Sequence, residues 1–312
     1  MTYKAAVVQA GSIPFDSEKS VQKACALIAQ AGKAGARLVV FPEAFISGYP
    51  KACSFDTPVG YRTEKAREEY FAYHAGSIVV PGPETALLGK AAKEAGTHVV
   101  IGVMERGEHT IYCTALFIGP DGIVLGKHRK LMPTGTERLI WGFGDGSTLP
   151  VLETEVGPIG AVICWENFMP ALRMAMYAKG IGVYCAPTAD DRPVWPSSMQ
   201  HIALEGRCFV LSACQYITRG AYPEDYDCKL GDDPATVLMK GGSLIVDPLG
   251  KILAGPAGEE ETILYADIDL DDIVKGKFDL DTVGHYARPD VFSLHVNEQP
   301  MPAVQFGGGK QK

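Results

Sequence analysis

The sequence predicts a single α/β domain built on mixed β-sheets. Short apolar segments typical of strands alternate with segments whose apolar residues have helical spacing, which is the pattern of an α/β fold. No linker rich in Gly, Ser or Pro interrupts this alternation, and its absence favours one domain over two. Gly119-Pro120-Asp121-Gly122 and Asp247-Pro248-Leu249-Gly250 are turn sequences that predict two β-hairpins. Because hairpins join antiparallel strands, we expect mixed sheets and not an all-parallel one.

The first half of the chain predicts two helices and five strands. Residues 17–35 have apolar side chains at helical spacing, and Gly32 and Gly35 supply a stop signal. Residues 83–96 begin with proline and end with glycine, as helices often do. The strands expected here are residues 5–9, 37–41, 98–104, 111–118 and 123–127.

The second half continues the alternation. Its second hairpin has the same form as the first, which indicates two related sheets. Residues 221–235, rich in Pro, Asp and Tyr, predict a surface loop, and residues 304–312 predict a disordered tail. The helices expected here are 170–179 and 197–207, and the strands are 158–163, 181–186, 208–214, 243–246, 251–254 and 263–268.

Composition and charge argue against a nucleic-acid or membrane protein. Hydrophobic residues make up 46% and charged residues 21% of the chain, as in an ordinary globular protein with a large core. The formal net charge is −8, and the one short basic cluster is Lys127-His128-Arg129-Lys130, whereas phosphate binding rests on clustered Lys and Arg. No apolar run approaches the ~20 residues of a membrane helix.

The spacing of cysteine, histidine and glycine argues against a metal ion or a cofactor. Eight cysteines without a secretion signal indicate free thiols in a reducing compartment, so we expect a cytoplasmic protein. The sequence has no Cys-x-x-Cys pair and no His-x-x-x-His spacing, which argues against a structural zinc site. No glycine-rich phosphate loop opens a helix after a strand, which disfavours a nucleotide-dependent oxidoreductase.

Three reactive side chains each come after a predicted strand. Glu43, Lys130 and Cys164 are a carboxylate, an ammonium and a thiol that come directly after apolar strands. Reactive groups in α/β folds tend to lie beyond the carboxyl ends of strands, where loops meet at a crevice. If the three converge, the cation should lower the thiol pKa from about 8.5, and the carboxylate should accept the thiol proton. The lysine would then stabilise negative charge on the attacked atom.

Each of these residues has a simpler explanation when it is taken alone. A lone cysteine after an apolar strand is more often a small buried hydrophobe than a nucleophile. Glu43 alone would be a turn or helix-capping residue, and Lys130 alone a solvated surface charge. Glu137 would be a local ion-pair partner of Arg138. A catalytic site is favoured because three reactive types come after strands at one sheet edge.

Several segments resemble the nitrilase superfamily, in the order that the family has them. Residues 41–45, Phe-Pro-Glu-Ala-Phe, are similar to the segment of its catalytic glutamate. Residues 128–134 resemble its lysine segment, and residues 160–167 resemble its nucleophile segment. The other similar segments are 184–190, 201–206, 241–243 and 285–290, so that the resemblance covers nearly the whole chain.

The resemblance implies a four-layer αββα sandwich, with residues 1–312 as one carbon–nitrogen hydrolase domain that needs no cofactor. The catalytic residues that it implies are the triad Cys164, Glu43 and Lys130, with Glu137 as a second glutamate. The tail after Val304 is shorter than in many microbial members that form long spirals, so extended filaments are not expected.

The resemblance further implies hydrolysis of a nitrile to a carboxylic acid and ammonia through covalent thioimidate and thioester intermediates. Cys164-Trp165-Glu166-Asn167, with Met169-Pro170 shortly after it, is typical of the nitrilase branch. An amidase or carbamoylase that uses the same residues is the alternative. We expect four residues to line the substrate pocket, although ordinary packing explains each equally well: Tyr49, Thr134, Trp165 and Pro187.

The expected partners are a small-molecule nitrile and further copies of the chain. Aliphatic, arylacetonitrile and cyanoalanine-type nitriles all fit the sequence. The helix at 170–179 is apolar around much of its circumference, and the resemblance places a dimer contact on it and on 197–207. A non-catalytic protein on the same scaffold is disfavoured, because buried charges are costly without a use.

Overall fold

In the computed structural model, which describes residues 1–108 and 110–304, strands and helices alternate as the sequence predicts. The strands are β1 (Thr2–Gln9), β2 (Ala36–Val40), β3 (His98–Arg106), β4 (Ile111–Ile118), β5 (Val124–Arg129), β6 (Val151–Thr154), β7 (Gly157–Ala161), β8 (Val183–Thr188), β9 (Phe209–Cys214), β10 (Tyr216–Thr218), β11 (Val237–Lys240), β12 (Leu244–Val246), β13 (Ile252–Ala254) and β14 (Thr262–Asp269). The helices are α1 (Ser17–Lys33), α2 (Glu64–Ala75), α3 (Pro83–Ala95), α4 (Pro170–Ala178), α5 (Trp195–Gly206) and α6 (Asp271–Gly276). The predicted tail lies outside the described residues from position 305 onward.

Two six-stranded sheets share one pattern of strand directions. Their orders are β5-β4-β3-β2-β1-β14 and β13-β12-β9-β8-β7-β6. In each order two antiparallel pairs come first, two parallel pairs come next, and one antiparallel pair closes the sheet. The two predicted hairpins, β4–β5 and β12–β13, occupy corresponding places. Both the mixed sheets and the relation between them are therefore confirmed.

The side chains of each sheet alternate between two apolar layers. In β1, Ala5 and Val7 point into a core shared by the two sheets, whereas Ala6 and Val8 pack against α1 and α3. The outer face of the second sheet packs against α4 and α5 in the same way. This alternation results from the two-residue period of a strand. The result is a single domain with four layers, helices, sheet, sheet and helices, which confirms the expected αββα sandwich. Among the described residues, no helix is long and apolar enough to cross a bilayer.

The structure contains elements that the sequence pattern does not predict. In α2, Ala66 and Tyr73 are the buried residues, and charged side chains occupy half of the other positions, so that the helix has no apolar stripe. The strands β6, β10 and β11 and the helix α6 are each six residues or shorter, too short for a periodic signal.

The prediction of a simple surface loop at 221–235 is wrong in part. Tyr222, Tyr226 and Cys228 of this segment are buried in a small apolar cluster. The Tyr222 hydroxyl donates a hydrogen bond to the carbonyl oxygen of Tyr49 at 2.7 Å, and the Tyr226 hydroxyl donates to that of Lys51 at 2.6 Å. The loop therefore packs onto the segment that comes after Glu43.

Two predicted strand boundaries near the nucleophile are also wrong. The strand before Cys164 ends at Ala161, two residues earlier than expected. The strand predicted at 181–186 is β8, which begins at Val183, because the backbone N–H of Ile181 bonds back to the carbonyl oxygen of Met176 in α4. Because β8 also ends later than predicted, at Thr188, Pro187 lies inside a strand and not after one.

Candidate active site

Glu43 lies in a tight turn directly beyond β2. The turn packs on β3 at Gly102, where an added Cβ would lie 2.3 Å from the carbonyl oxygen of Pro42. The Gln215 side chain donates to the Glu43 carbonyl oxygen at 3.1 Å, which holds the turn from the second sheet. The Glu43 side chain is completely buried. The close approach that glycine allows therefore brings a carboxyl group into the space between the sheets.

Lys130 comes directly after β5 and points into the same space. Its ammonium donates to Oε1 of Glu43 at 2.6 Å and to Oε2 of Glu137 at 2.8 Å. The ammonium also lies 5.2 Å from the centre of the Trp141 ring. Lys130 is 1% exposed, so these contacts replace its hydration. The simpler interpretation of Lys130 from the sequence, a solvated surface charge, is therefore wrong.

Glu137 is held in place by three donors. It lies in a 3-10 turn, Gly135–Leu139, and its Oε2 accepts the backbone N–H of Thr134 at 2.6 Å in addition to Lys130. Its Oε1 accepts the Tyr49 hydroxyl at 2.6 Å. Because both oxygens are engaged, Glu137 has little freedom to move relative to the Lys130 ammonium.

Cys164 is the first residue of a 3-10 turn, Cys164–Phe168, and has an uncommon backbone conformation. Its φ is +53°, which costs a non-glycine residue on the order of 1–3 kcal/mol. The amide of Asn167 offsets part of this strain by donating to the carbonyl oxygens of Val162, at 2.9 Å, and Cys164, at 2.7 Å. The Thr188 hydroxyl, at the end of β8, donates to the Cys164 sulfur at 3.3 Å.

The expected low pKa of the Cys164 thiol is wrong. Burial and the charge of Glu43 raise the pKa of the thiol to about 12, and Lys130 lowers it by less than these two raise it. Burial also raises the pKa of Glu43, an effect that Lys130 opposes and Glu137 reinforces. Burial lowers the pKa of Lys130, but the surrounding acidic groups, Glu43 first among them, together outweigh burial and raise that pKa well above its usual value. At neutral pH the sulfur therefore carries its proton.

The two oxygens of Glu43 have different surroundings. Oε1 accepts the Lys130 ammonium and also the thiol of Cys113, whose sulfur lies 3.5 Å away on β4. Oε2 has no hydrogen-bond partner among the described residues. Cys164 lies close enough to lower the pKa of Glu43 by hydrogen bonding. Of the two oxygens, Oε2 is therefore the one that the described residues leave unpaired.

Sequence reasoning misses Cys113 and Thr188 as neighbours of these groups. Cys113 lies in an apolar strand among packing residues, and no local signal separates it from them. Its position next to Glu43 depends on the pairing of β3 with β4, which no single segment encodes.

The four predicted pocket residues fall in two places. Tyr49 and Thr134 line a cavity of about 290 Å³ together with Glu137. Trp165 is 42% exposed, its indole N–H donates to Asp190 at 2.8 Å, and the Arg192 guanidinium lies 4.6 Å above its ring. Pro187 is buried within β8 and pairs with β9.

Comparison with known proteins identifies a matching family profile and several similar sequences. The profile of the carbon-nitrogen hydrolase family matches residues 4–278. The chain is 64% identical to "Nitrilase blr3397" of Bradyrhizobium diazoefficiens, over 97% of this chain and 94% of that one. It is 59% identical to "Aliphatic nitrilase" of Sinorhizobium fredii, over 97% and 98%.

Among solved structures, the NitFhit protein of C. elegans is similar with a TM-score of 0.75 and 21% identity, over 97% of this chain and 69% of that one. An amidase from Nesterenkonia sp. is similar with a TM-score of 0.64 and 21% identity, over 87% and 92%. At these identities the likeness concerns the fold alone.

Proposed function

The chain belongs to the carbon–nitrogen hydrolase family, and from that premise we propose that it is a nitrilase that converts a nitrile to a carboxylic acid and ammonia. The observation that carries the proposal is the buried group formed by the Cys164 thiol, Glu43, Lys130 and Glu137. Relatives that are 59% and 64% identical are named nitrilases, which supports the nitrile as substrate.

The first half of the reaction forms a bond between sulfur and carbon. Oε2 of Glu43 accepts the thiol proton as the Cys164 sulfur attacks the nitrile carbon. Lys130 and the backbone N–H of Trp165 stabilise the negative charge that develops on the nitrile nitrogen. Transfer of that proton from Glu43 to the nitrogen gives a thioimidate on Cys164 and leaves Glu43 as a carboxylate again. Since the thiol pKa is about 12, proton transfer must accompany attack, which is why a carboxylate at this position is needed.

The second half uses two water molecules. Glu43 removes a proton from the first, which adds to the thioimidate carbon, and the nitrogen then leaves as ammonia. The resulting thioester on Cys164 is hydrolysed by the second water, which releases the acid and restores the thiol. In this sequence Glu137 orients the Lys130 ammonium through its 2.8 Å contact. Tyr49 and Thr134 would line the substrate site, since both border the cavity at Glu137.

Trp165 and Pro187 would shape the wall on the nucleophile side. Trp165 adjoins Cys164 in the chain, and its contacts with Asp190 and Arg192 limit rotation of the indole. Pro187 precedes Thr188, which donates to the Cys164 sulfur. A rigid wall here would leave more room for attack on a linear nitrile, whose first product is a planar thioimidate, than for attack on an amide, whose first product is already tetrahedral.

Matched assays on one nitrile and the corresponding amide test the proposal. We expect kcat/KM for the nitrile to exceed that for the amide by at least ~100-fold, about 2.7 kcal/mol of transition-state discrimination. The main product should be the carboxylic acid. Equal or reversed rates would support the alternative, an amidase or carbamoylase with the same catalytic residues. A panel of aliphatic, arylacetonitrile and cyanoalanine-type nitriles, scored for ammonia release, identifies the class of substrate.

We also propose a homodimer or a higher oligomer through α4 and α5, and a cytoplasmic location. Phe168 and Val194, which flank these helices, and Leu204 on α5 are exposed apolar side chains. The apolar residues of α4 support this contact between copies of the chain only in part, because two of them, Leu172 and Met176, are buried in the core of the chain itself. The location rests on the cysteines, all eight of which have free thiols.

A further inference from the structure

Glu166 takes no direct part in the proposed reaction, yet its carboxylate lies at the centre of a buried hydrogen-bond network. Glu166 is 1% exposed. Its Oε1 accepts the backbone N–H of Leu131 at 2.6 Å, and its Oε2 accepts that of Ile163 at 2.9 Å. Oε2 also faces Nε2 of His128 at 2.9 Å. N–H donors on both oxygens favour the ionised carboxylate over the protonated carboxyl group.

The two backbone donors belong to the two segments that carry the nucleophile and the lysine. Leu131 is the residue directly after Lys130, and Ile163 immediately precedes Cys164. The two segments come from different sheets, at the ends of β5 and β7. One carboxylate therefore connects the segment that carries Lys130 with the segment that carries Cys164.

His128 completes the network, and the geometry determines its charge. Its Nε2 faces the Glu166 carboxylate, and its Nδ1 lies 2.8 Å from the carbonyl oxygen of Thr148. A carboxylate and a carbonyl oxygen are acceptors only, so with Glu166 ionised both ring nitrogens carry protons and the ring is an imidazolium. Burial lowers the pKa of His128, but the charge and hydrogen bond of Glu166 outweigh burial and raise that pKa above 6.5.

Other charged groups near His128 have their own partners. On the same strand, Lys127 and Arg129 both bind Glu105 on the opposite face of the sheet. Lys130 binds Glu43 and Glu137. Among the described residues, Glu166 is thus the charged side chain that faces the imidazolium, with the Thr148 carbonyl oxygen on its other side.

We propose that the buried His128–Glu166 ion pair is a positioning device that sets the distance between Lys130 and Cys164. Glu166 ties the two catalytic segments together through their backbone N–H groups, and His128 holds the Glu166 carboxylate in the orientation that this requires. Neither residue touches the reacting atoms. The effect on nitrile turnover rests on the proposed function, whereas the effect on Cys164 reactivity does not.

The protonation state of His128 in the unaltered protein is the first test. Histidine ring nitrogens labelled with ¹⁵N distinguish imidazolium from neutral imidazole, and the His128→Gln variant identifies the signal among the seven histidines. At pH 7.5 an ordinary imidazole with a pKa of about 6.5 is mostly neutral. We expect His128 to be predominantly imidazolium at that pH. A neutral His128 overturns the proposal, and this measurement does not depend on the folding of a Glu166 variant.

The second test compares Glu166→Gln with Glu105→Gln. Glu105 is the matched control, because it is 2% exposed and accepts hydrogen bonds from the side chains of Lys127, Arg129 and Thr114. Glu166 differs in that it accepts the backbone N–H groups of the residues next to Lys130 and Cys164. Two readouts are measured, the rate of Cys164 alkylation by iodoacetamide and the kcat and KM for a nitrile.

We expect Glu166→Gln to lower the alkylation rate and kcat by at least ~10-fold, with KM changed by less than ~3-fold. The reason is that small displacements of the reacting groups lower the rate of the chemical step. Glu105→Gln should change each by less than ~3-fold. Equal losses in the two variants, or no loss in a folded Glu166→Gln protein, overturn the proposal. A loss of alkylation rate in a protein that hydrolyses no nitrile supports the positioning role and refutes the proposed function.

Discussion

At Cys164, burial outweighs the neighbouring cation. A thiol beside an exposed lysine would have a lowered pKa, but here loss of hydration and the charge of Glu43 raise the pKa to about 12. A neutral thiol needs a base at the moment of attack. In the proposed reaction that base is Oε2 of Glu43, which has no hydrogen-bond partner among the described residues, whereas Oε1 is held by Lys130 and Cys113.

The first residue-scale prediction is that Cys164→Ala abolishes turnover and leaves the fold intact. Alanine tolerates the φ of +53° as well as cysteine does. The change removes one sulfur atom and the 3.3 Å contact with Thr188, which should reduce the free energy of unfolding by about 1–2 kcal/mol. Ammonia release and thermal unfolding provide the measurements. Substantial turnover by this variant would refute the mechanism.

The second residue-scale prediction concerns the dependence of kcat/KM on pH. Glu43 must be a carboxylate to act as base, so kcat/KM falls as pH falls through its raised pKa. The charge of Glu137 is one of the causes that raise this pKa. Glu137→Gln should therefore shift the acidic limb of the profile to lower pH, while reducing kcat.

The remote buried carboxylate Glu105 serves as the control for this profile. Glu105→Gln should leave the acidic limb unchanged, because Glu105 is not among the groups that act on Glu43. An acidic limb that stays in place or moves to higher pH in Glu137→Gln would contradict the assignment of that limb to Glu43.

At the scale of elements, the site depends on the turns at the carboxyl ends of three strands. Glu43 lies in the turn beyond β2, Lys130 directly after β5, and Cys164 at the start of a 3-10 turn beyond β7. The strands are held by backbone hydrogen bonds to neighbouring strands, whereas the turns are held by contacts with other elements. Gly102 on β3 is one such contact, since the Glu43 turn packs directly on its Cα.

The element-scale prediction is that Gly102→Ala lowers both stability and kcat. A Cβ at this position would lie 2.3 Å from the carbonyl oxygen of Pro42 and 2.6 Å from the backbone nitrogen of Ala44, so the turn must move. Overpacking of this kind typically costs about 1–3 kcal/mol. Chemical denaturation measures the free energy of unfolding, and steady-state assays measure kcat and KM.

Gly126→Ala on β5 of the same sheet is the matched control. There an added Cβ meets its nearest neighbour, Leu152, at 3.6 Å, an ordinary contact distance. This variant should keep kcat within ~2-fold of the unaltered protein, since nothing has to move. Equal effects of the two substitutions would show that the turn does not depend on close packing at Gly102.

At the scale of the whole molecule, two related sheets bring distant segments to one site. The helices α1 and α3 cover the first sheet, and α4 and α5 cover the second. The outer side of the second helical layer still exposes apolar side chains. A second copy of the chain could cover these apolar side chains.

The whole-molecule prediction is a dimer or a larger oligomer at micromolar concentration, measured by light scattering. Leu204→Arg, on α5, should weaken assembly because it places a charge in the proposed contact. Leu125→Arg, on β5, is the control, since the two leucines are 40% and 39% exposed. A monomeric unaltered protein, or equal effects of both substitutions, would contradict the proposed contact.

Local sequence patterns predict most of the elements in their order, and they predict the residue types of the proposed catalytic group. Apolar periodicity and turn residues act over a few positions, so they predict α1, α3 and the two hairpins without knowledge of the fold. The positions of Glu43, Lys130 and Cys164 after strands result from the same local pattern, and the resemblance of their segments to a known family indicates their chemistry.

The charges and contacts of the site, in contrast, depend on the packing of segments that are far apart in the chain. Glu43 and Lys130 are 87 residues apart in the chain and 2.6 Å apart in space. Likewise, Glu166 is linked to Leu131 across 35 residues. Such contacts between distant residues depend on which segments pack together. The loss of hydration that raises the pKa of Cys164 depends on the same packing. Local sequence does not contain that information, because the free energy of a buried charge is set by groups brought to it from elsewhere in the chain.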